Sequence, residues 1–159
     1  MPTIEREAAR ILVIDPAGRV LLQEVQASDT GGTVWIAPGG GLEPNETHEA
    51  AALRELREEV GHTGGQLGPC VWIREHEFDF RGTHYRQSER FFLAKSEPFE
   101  VDTSGMDDLE LELVQGHRWW SVSEIEAASA AAFAPRSLAR HLRPLVDGIT
   151  PEEPIDVGV

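Results

Sequence analysis

GGLEPNETHEAAALRELREEVGH, Gly40 to His62, is the stretch that decides how this chain is read. From Gly40 the order is five residues to Glu46, seven to Arg54-Glu55-Leu56, one to Glu58-Glu59, and one to Gly61-His62. The stretch predicts a helix. Pro44-Asn45 or Thr47 can start it, Asn45 and Thr47 are both able to cap, and Gly61 can end it. Leu53, Leu56 and Val60 fall at helical spacing and predict a buried stripe, with Glu55, Glu58 and Glu59 expected on the opposite side. Glutamates at i, i+3 and i+4 are neighbours, so their repulsion destabilises the helix unless something compensates. A hard divalent cation such as Mg²⁺ or Mn²⁺ removes that penalty. A solvated acidic face is the plainer reading of the three glutamates taken alone.

The whole spacing is more specific than its acids. With each residue type at a usage of roughly 5–8%, a chance match at Gly40, Glu46, Arg54, Glu55, Glu58, Glu59 and Gly61 is on the order of one in a billion per window. The block resembles the Nudix box, with one departure: His62 stands where that pattern has an aliphatic residue. The resemblance extends over about Glu7 to Leu145. It implies an α/β Nudix fold, a mixed β-sheet sandwiched between α-helices. It also implies Mg²⁺-dependent hydrolysis, with Mn²⁺ as a possible substitute. The bond cleaved would be the pyrophosphate linkage of a nucleoside diphosphate derivative or nucleoside triphosphate, by water attack at phosphorus.

By the same resemblance, Glu58 and Glu59 are the principal metal ligands. Glu55 is a further ligand or the group that orients the water, and the carbonyl of Gly40 completes the metal shell. Arg54 holds a box glutamate in place, and Glu46 packs the helix start against the glycine loop. One more acid is expected from a loop before the last strand. Glu112 is preferred over Glu110 because it lies just ahead of Gln115-Gly116. Two other readings remain open: a non-catalytic nucleotide-binding sensor, which would often have lost box acids, and an isopentenyl diphosphate isomerase-type enzyme. The latter needs a cysteine against a glutamate, and the lone Cys70 lies well past the box.

Composition narrows the partners. The 159 residues suit a single domain, expected over 1–148, with 149–159 a flexible tail. A formal net charge of −14 argues against binding a nucleic acid polymer, which depends on Lys and Arg neutralising phosphates. It leaves room for a small nucleotide bridged by a divalent cation. Cys70 has no internal disulfide partner, no apolar run reaches membrane-spanning length, and the first residues lack a secretory signal pattern. A cytoplasmic monomer or homodimer with no membrane association is the expectation.

Outward from the box, Glu7–Asp15 and Val20–Val25 read as strands around a Pro16–Arg19 turn, Ser28–Thr33 as a loop, and Trp35–Ala37 as a short strand. After the flexible Thr63-Gly64-Gly65 come long strands over about Cys70–Phe80 and His84–Lys95, joined at Arg81-Gly82-Thr83. Met106–Glu112 reads as a loop or short helical turn. Gly116–Trp120 is expected as the final strand, and helices are expected to Ala128 and over Pro135–Val146. Arg74, Arg86 and Arg90 on the long hairpin are candidates for substrate phosphates, with surface ion pairing the plainer role. Trp35 is a candidate for stacking a base, and Trp119 and Trp120 are expected to pack.

Overall fold

The computed structural model describes residues 2–26, 32–63 and 66–159. Most of the loop expected at Ser28–Thr33, and Gly64-Gly65, therefore lie outside the described residues. The organising strand is β1 (Thr3–Ile14), whose apolar run Ile11-Leu12-Val13 is fully buried. Such a run, apolar on both faces, belongs in the middle of a covered sheet. β1 pairs in parallel with β6 (Thr83–Lys95) from Thr3↔His84 to Ile14↔Lys95. β5 (Cys70–Phe80) returns antiparallel to β6, and β8 (Ile155–Asp156) adds a short edge.

The other side of β1 shapes the site. At Asp15 the chain turns, the carboxylate accepting hydrogen bonds from the amides of Ala17 (3.0 Å) and Arg19 (2.8 Å). β2 (Val20–Gln26) then meets β1 at Ile14↔Val20 and turns away to pair with β3 (Thr33–Ile36) and β7 (Val114–Trp120). The vacated edge of β1 is taken by β4 (Gly39–Gly41), in register Ala8↔Gly41 to Arg10↔Gly39. The mixed sheet thus splits into two wings, β4-β1-β6-β5-β8 and β3-β2-β7, which meet where Ile14 pairs with Val20.

Strand alternation sends two sets of side chains to two cores. Leu12, Leu22, Trp72 and Phe91 pack under Ile125 of α3 (Val122–Ala127) and under Leu138, Leu142 and Leu145 of α4 (Leu138–Val146). Ile11, Val13, Leu21 and Phe92 pack on the opposite face against Ala51, Ala52, Leu56 and Val60. These last four belong to α1 (His48–Glu55) and the wider helical turn Leu56–Val60 that continues it. The sheet is therefore sandwiched between helices, as expected, and each fully buried Leu or Val contributes roughly 1.5–3 kcal/mol.

Three expectations are corrected. Leu53 is 44% exposed and does not belong to the helix's buried stripe. At 100° per residue, positions 51, 55, 59, 52, 56 and 60 fill one continuous arc of about 180°, and Leu53 lies just beyond it. Gly116–Trp120 lies within β7 but is not the last strand, because β8 follows. The segment read as a flexible tail pairs Ile155 with Trp72 and Asp156 with Ile73, and it buries Val157 in the first core.

The capping expectations meet the structure in detail. Thr47 caps α1, its hydroxyl accepting from the amide of Ala50 at 3.1 Å. Gly61, with φ at +76°, ends the helical turn in the left-handed conformation that glycine tolerates best. His62 stacks on Phe99 with ring centroids 4.6 Å apart, so its ring covers the helix end where an aliphatic side chain was expected. Met106–Glu112 resolves into the start of α2 (Asp108–Leu113), which Asp107 and Glu110 close with a reciprocal capping box.

Candidate functional site

The box glutamates do not share one solvated face. Glu55 and Glu59 lie inside the buried arc of their helix, between Ala51-Ala52 and Leu56-Val60, and are 5% and 3% exposed. The small Ala51 and Ala52 let the helix approach the sheet closely, and the two acids are buried with it. The turn over Leu56–Val60 is of the wider π type, a geometry that often marks functional positions. Glu58 lies at the rim, its carboxylate accepting from Arg54 Nη1 at 3.1 Å.

Opposite the helix, α2 contributes Glu110. Carboxylate oxygens of Glu55, Glu59 and Glu110 all lie within 4.8 Å of one another. Three acids that close, two of them buried, do not tolerate full ionisation unaided. Burial pushes the Glu59 carboxyl well above its usual range, and a hydrogen bond and repulsion from Glu55 push it further, with Arg10 and Gln23 opposing. Burial also raises the Glu110 carboxyl. Glu55 Oε2 is buried and has no hydrogen-bond partner among the described residues. Gln23 donates to Glu59 Oε2 at 2.6 Å from the facing wing. An all-oxygen donor set holding excess negative charge and an unsatisfied buried oxygen suits a hard cation such as Mg²⁺ or Mn²⁺.

Gly40 explains the glycine at the head of the box. A Cβ there would sit 2.6 Å from Glu55 Oε1, so any side chain would evict the carboxylate. Arg54 anchors the same region. Its Nε and Nη2 each donate to Glu46 at 2.8 Å, Nη1 donates to Glu55 at 2.9 Å, and Nη2 reaches the Gly41 carbonyl at 3.1 Å. Glu46 also accepts from the Glu43 amide at 2.9 Å, which closes the loop at the helix start.

The structure places the preferred outer acid apart from the cluster. Glu112 is exposed and pairs with Arg81 at 3.2 Å on the surface, whereas Glu110, two residues earlier, enters the cluster. The two lie on different sides of the short α2, a distinction that position ahead of Gln115-Gly116 does not make.

The candidate substrate arginines divide between the two faces of the hairpin. Arg74 pairs with Glu89 across the strands and lies on the face of the first core. Arg86 and Arg90 lie on the other face. Arg86 is at the surface with Glu5 (3.2 Å) and Glu75 (3.6 Å), while Arg90 acts electrostatically on His48 and Cys70. Trp35 is half-buried and packs edge-on against Trp120 with centroids 5.1 Å apart. Trp120 belongs to the core, and Trp119 packs edge-on against Phe99.

A buried ionic group went unread in the sequence. Glu89, 2% exposed, accepts from Arg10 Nε at 2.9 Å, Arg74 Nη1 at 2.7 Å and Gln87 Nε2 at 2.8 Å. Arg10 also donates to the carbonyls of Ala37 and Gly39, both at 3.3 Å, so the group braces the chain on either side of Pro38 just ahead of the box. Its one sequence signal is polar residues inside strands β1 and β6 that otherwise bury apolar ones.

The comparisons agree with this geometry. The NUDIX domain profile matches residues 5–142. An RNA pyrophosphohydrolase of Sphingopyxis alaskensis is 31% identical over 132 residues, 76% of this chain and 80% of that protein. An 8-oxo-dGTP diphosphatase of Proteus vulgaris is 37% identical over 82 residues, 52% of this chain and 69% of that protein. Two further curated relatives are matched over only 30% of their length. Among solved structures, a C. elegans Ap4A hydrolase complex superposes with a TM-score of 0.64 at 24% identity, covering 91% of this chain and 99% of that one. No helix among the described residues is long and apolar enough to cross a membrane.

Proposed function

This chain belongs to the Nudix family, and on that premise we propose that it is a Mg²⁺-dependent pyrophosphohydrolase, with Mn²⁺ as a substitute. Its substrate is a nucleoside triphosphate or a nucleoside diphosphate derivative, cleaved by water attack at a bridging pyrophosphate. The observation that carries this reading is the convergence of Glu55, Glu59 and Glu110 into one cluster. Glu58 stands at its rim, where a small shift away from Arg54 would add a fourth carboxylate.

When bound, the cation supplies charge neutralisation at phosphorus and a water acidic enough to ionise near neutral pH. The chain's own residues do the rest. Glu55 and Glu59 fix the acidic pocket, and the buried Glu59 holds its proton more tightly than an ordinary carboxyl. Gln23 orients Glu59 from β2, and Gly40 leaves the space that Glu55 occupies. Arg54 locks Glu46, Glu55 and Glu58 into one array, so the acids need little rearrangement when a cation arrives. The overall charge of −14 repels a bare phosphate chain, which makes the cation part of recognition as well as of chemistry.

The test is a panel of nucleoside triphosphates, ADP-ribose, NADH, nucleotide sugars, dinucleoside polyphosphates and 5′-triphosphorylated RNA, with Mg²⁺ or Mn²⁺, read by product mass. On the best substrate, Glu58→Gln and Glu59→Gln are expected to lower turnover by orders of magnitude with the fold intact. Variants that stay within a few-fold of wild type would sink the assignment. Tight nucleotide binding without cation-dependent product would favour a sensor instead.

A further inference from the structure

Thirteen arginines and one lysine are in this chain, and three of the arginines around the box are already committed. Arg10 and Arg74 are bound to Glu89, and Arg54 to Glu46, Glu55 and Glu58. Arg6 differs. Its side chain is exposed, and among the described residues it takes part in no ion pair and donates no side-chain hydrogen bond. Its guanidinium nonetheless has a fixed place. A Cβ on Gly41 would meet Arg6 Nε at 2.6 Å and Nη2 at 2.7 Å, so the guanidinium rests on the glycine strand that opens the box.

Consecutive strand residues face opposite sides, so the two glycines carry two charges. Glu55 lies against Gly40 on the helix side, and Arg6 lies against Gly41 on the side shared with Arg10 and Glu89. Burial and the neighbouring charge of Arg10 lower the Arg6 pKa, while Tyr85, Glu55 and Glu89 act in the opposite sense. Beyond it, Tyr85, Phe78 and His76 line the same face as a stacked row, with centroids 5.3 and 5.2 Å apart. A substrate that extends from the acidic cluster over Gly41 meets Arg6.

We propose that Arg6 binds the substrate directly, its guanidinium donating to the oxygens of a phosphate group in the portion that projects from the acidic cluster over Gly41. This rests on the pyrophosphohydrolase reading above. The chemistry is a charge-assisted hydrogen bond from a planar donor fork to phosphate oxygens, for which Arg suits better than Lys. Held beside Gly41 without an ion pair among the described residues, this guanidinium is free to take an anion from the substrate.

The probe is inorganic triphosphate, with Ca²⁺ in place of Mg²⁺ to suppress turnover, titrated calorimetrically into wild type, Arg6→Ala, Arg6→Gln and Arg6→Lys. Arg143→Ala, on α4 and paired with Glu126, is the control. Removing the guanidinium is expected to weaken binding about tenfold, with partial recovery in Arg6→Lys and a change within about twofold in the control. On the best nucleotide substrate, the Arg6 variants are expected to raise KM far more than they lower kcat. Arg6→Gln keeps the stem that covers Gly41, so it separates charge from packing. Unchanged triphosphate affinity and KM in both Arg6→Ala and Arg6→Gln, with wild type hydrolysing nucleotides normally, would overturn the Arg6 role and leave the function standing. A wild type that neither binds triphosphate nor hydrolyses any member of the panel would remove both.

Discussion

Arg54 grips Glu46 with two parallel hydrogen bonds of 2.8 Å, so the last turn of α1 is tied directly to the loop that precedes it. This bidentate pair holds the Glu46 carboxyl down at about 2, chiefly through the hydrogen bonds from Arg54 and then through the Glu43 amide. A carboxyl with a depressed folded value stabilises the fold above its ordinary value near 4.5 and loses that contribution as pH falls towards 2. Arg54→Ala should therefore lower the melting temperature at neutral pH, and its deficit against wild type should shrink in acid. It should also reduce turnover by about 10–100-fold, because Glu55 and Glu58 lose their shared donor. A deficit that stays constant from neutral pH to acid would contradict the pairing.

Glu59 works in the opposite sense. Its folded carboxyl ionises well above 4.5 because it is buried, with the hydrogen bond and charge of Glu55 adding to the effect. The protonated form is the one the cation-free fold favours. Stability from this group is fully present below about 4.5 and is lost as pH rises through the folded value. In EDTA the melting temperature should fall as pH rises above about 4.5, and Mg²⁺ should cancel the fall by neutralising the cluster. Glu59→Gln should flatten the profile in EDTA. An equal slope in wild type and Glu59→Gln would show that another group titrates.

The two glutamates of α2 separate cleanly. Glu110 has a carboxylate oxygen within 4.8 Å of those of Glu55 and Glu59, while Glu112 is exposed and bound to Arg81 at 3.2 Å. Glu110→Gln should raise the Mg²⁺ concentration needed for half-maximal activity by about tenfold or more. Glu112→Gln should leave activity within about twofold, since exposed ion pairs are worth little. Mg²⁺ titrations of the two variants on one substrate decide between them.

What could be read in advance follows the range of the forces involved. Spacing from Gly40 to His62 was enough for the helix, for a start at Asn45 or Thr47 and for its end at Gly61, because these are local. The ends of strands at the Pro16–Arg19 and Arg81–Thr83 turns were legible, but the start of β1 at Thr3 and the strand β4 were not. The direction of the acids was not legible. A helical wheel treats glutamate as outward-facing, whereas Ala51 and Ala52 let the sheet close over Glu55 and Glu59. Nor was the choice of Glu110 over Glu112, which depends on how α2 sits against the cluster. The Glu89 group joins residues 79 positions apart from Arg10 and 15 from Arg74, a pairing that only strand register creates. The docking of Ile155–Val157 on β5 was hidden for the same reason.

Glu89 is the long-range contact with the largest predicted cost. It is 2% exposed, and its carboxyl sits well below the ordinary range because Arg10, His76 and Arg74 overcome the penalty of burial. Glu89→Ala leaves Arg10 and Arg74 buried without their shared anion, and breaking such a group costs about 3–5 kcal/mol. Glu89→Gln keeps the shape and two acceptor lone pairs but loses the charge, so it should cost less than Glu89→Ala. Arg10 also braces the carbonyls of Ala37 and Gly39, so the damage should reach the box as well as the fold. Chemical denaturation of both variants gives the stability order, and activity below the unfolding transition shows whether the glycine strand has moved. If Glu89→Ala unfolds no more readily than wild type, Arg10 and Arg74 have found other anions or water, and the brace is not what holds Gly39 and Gly40 beneath Glu55.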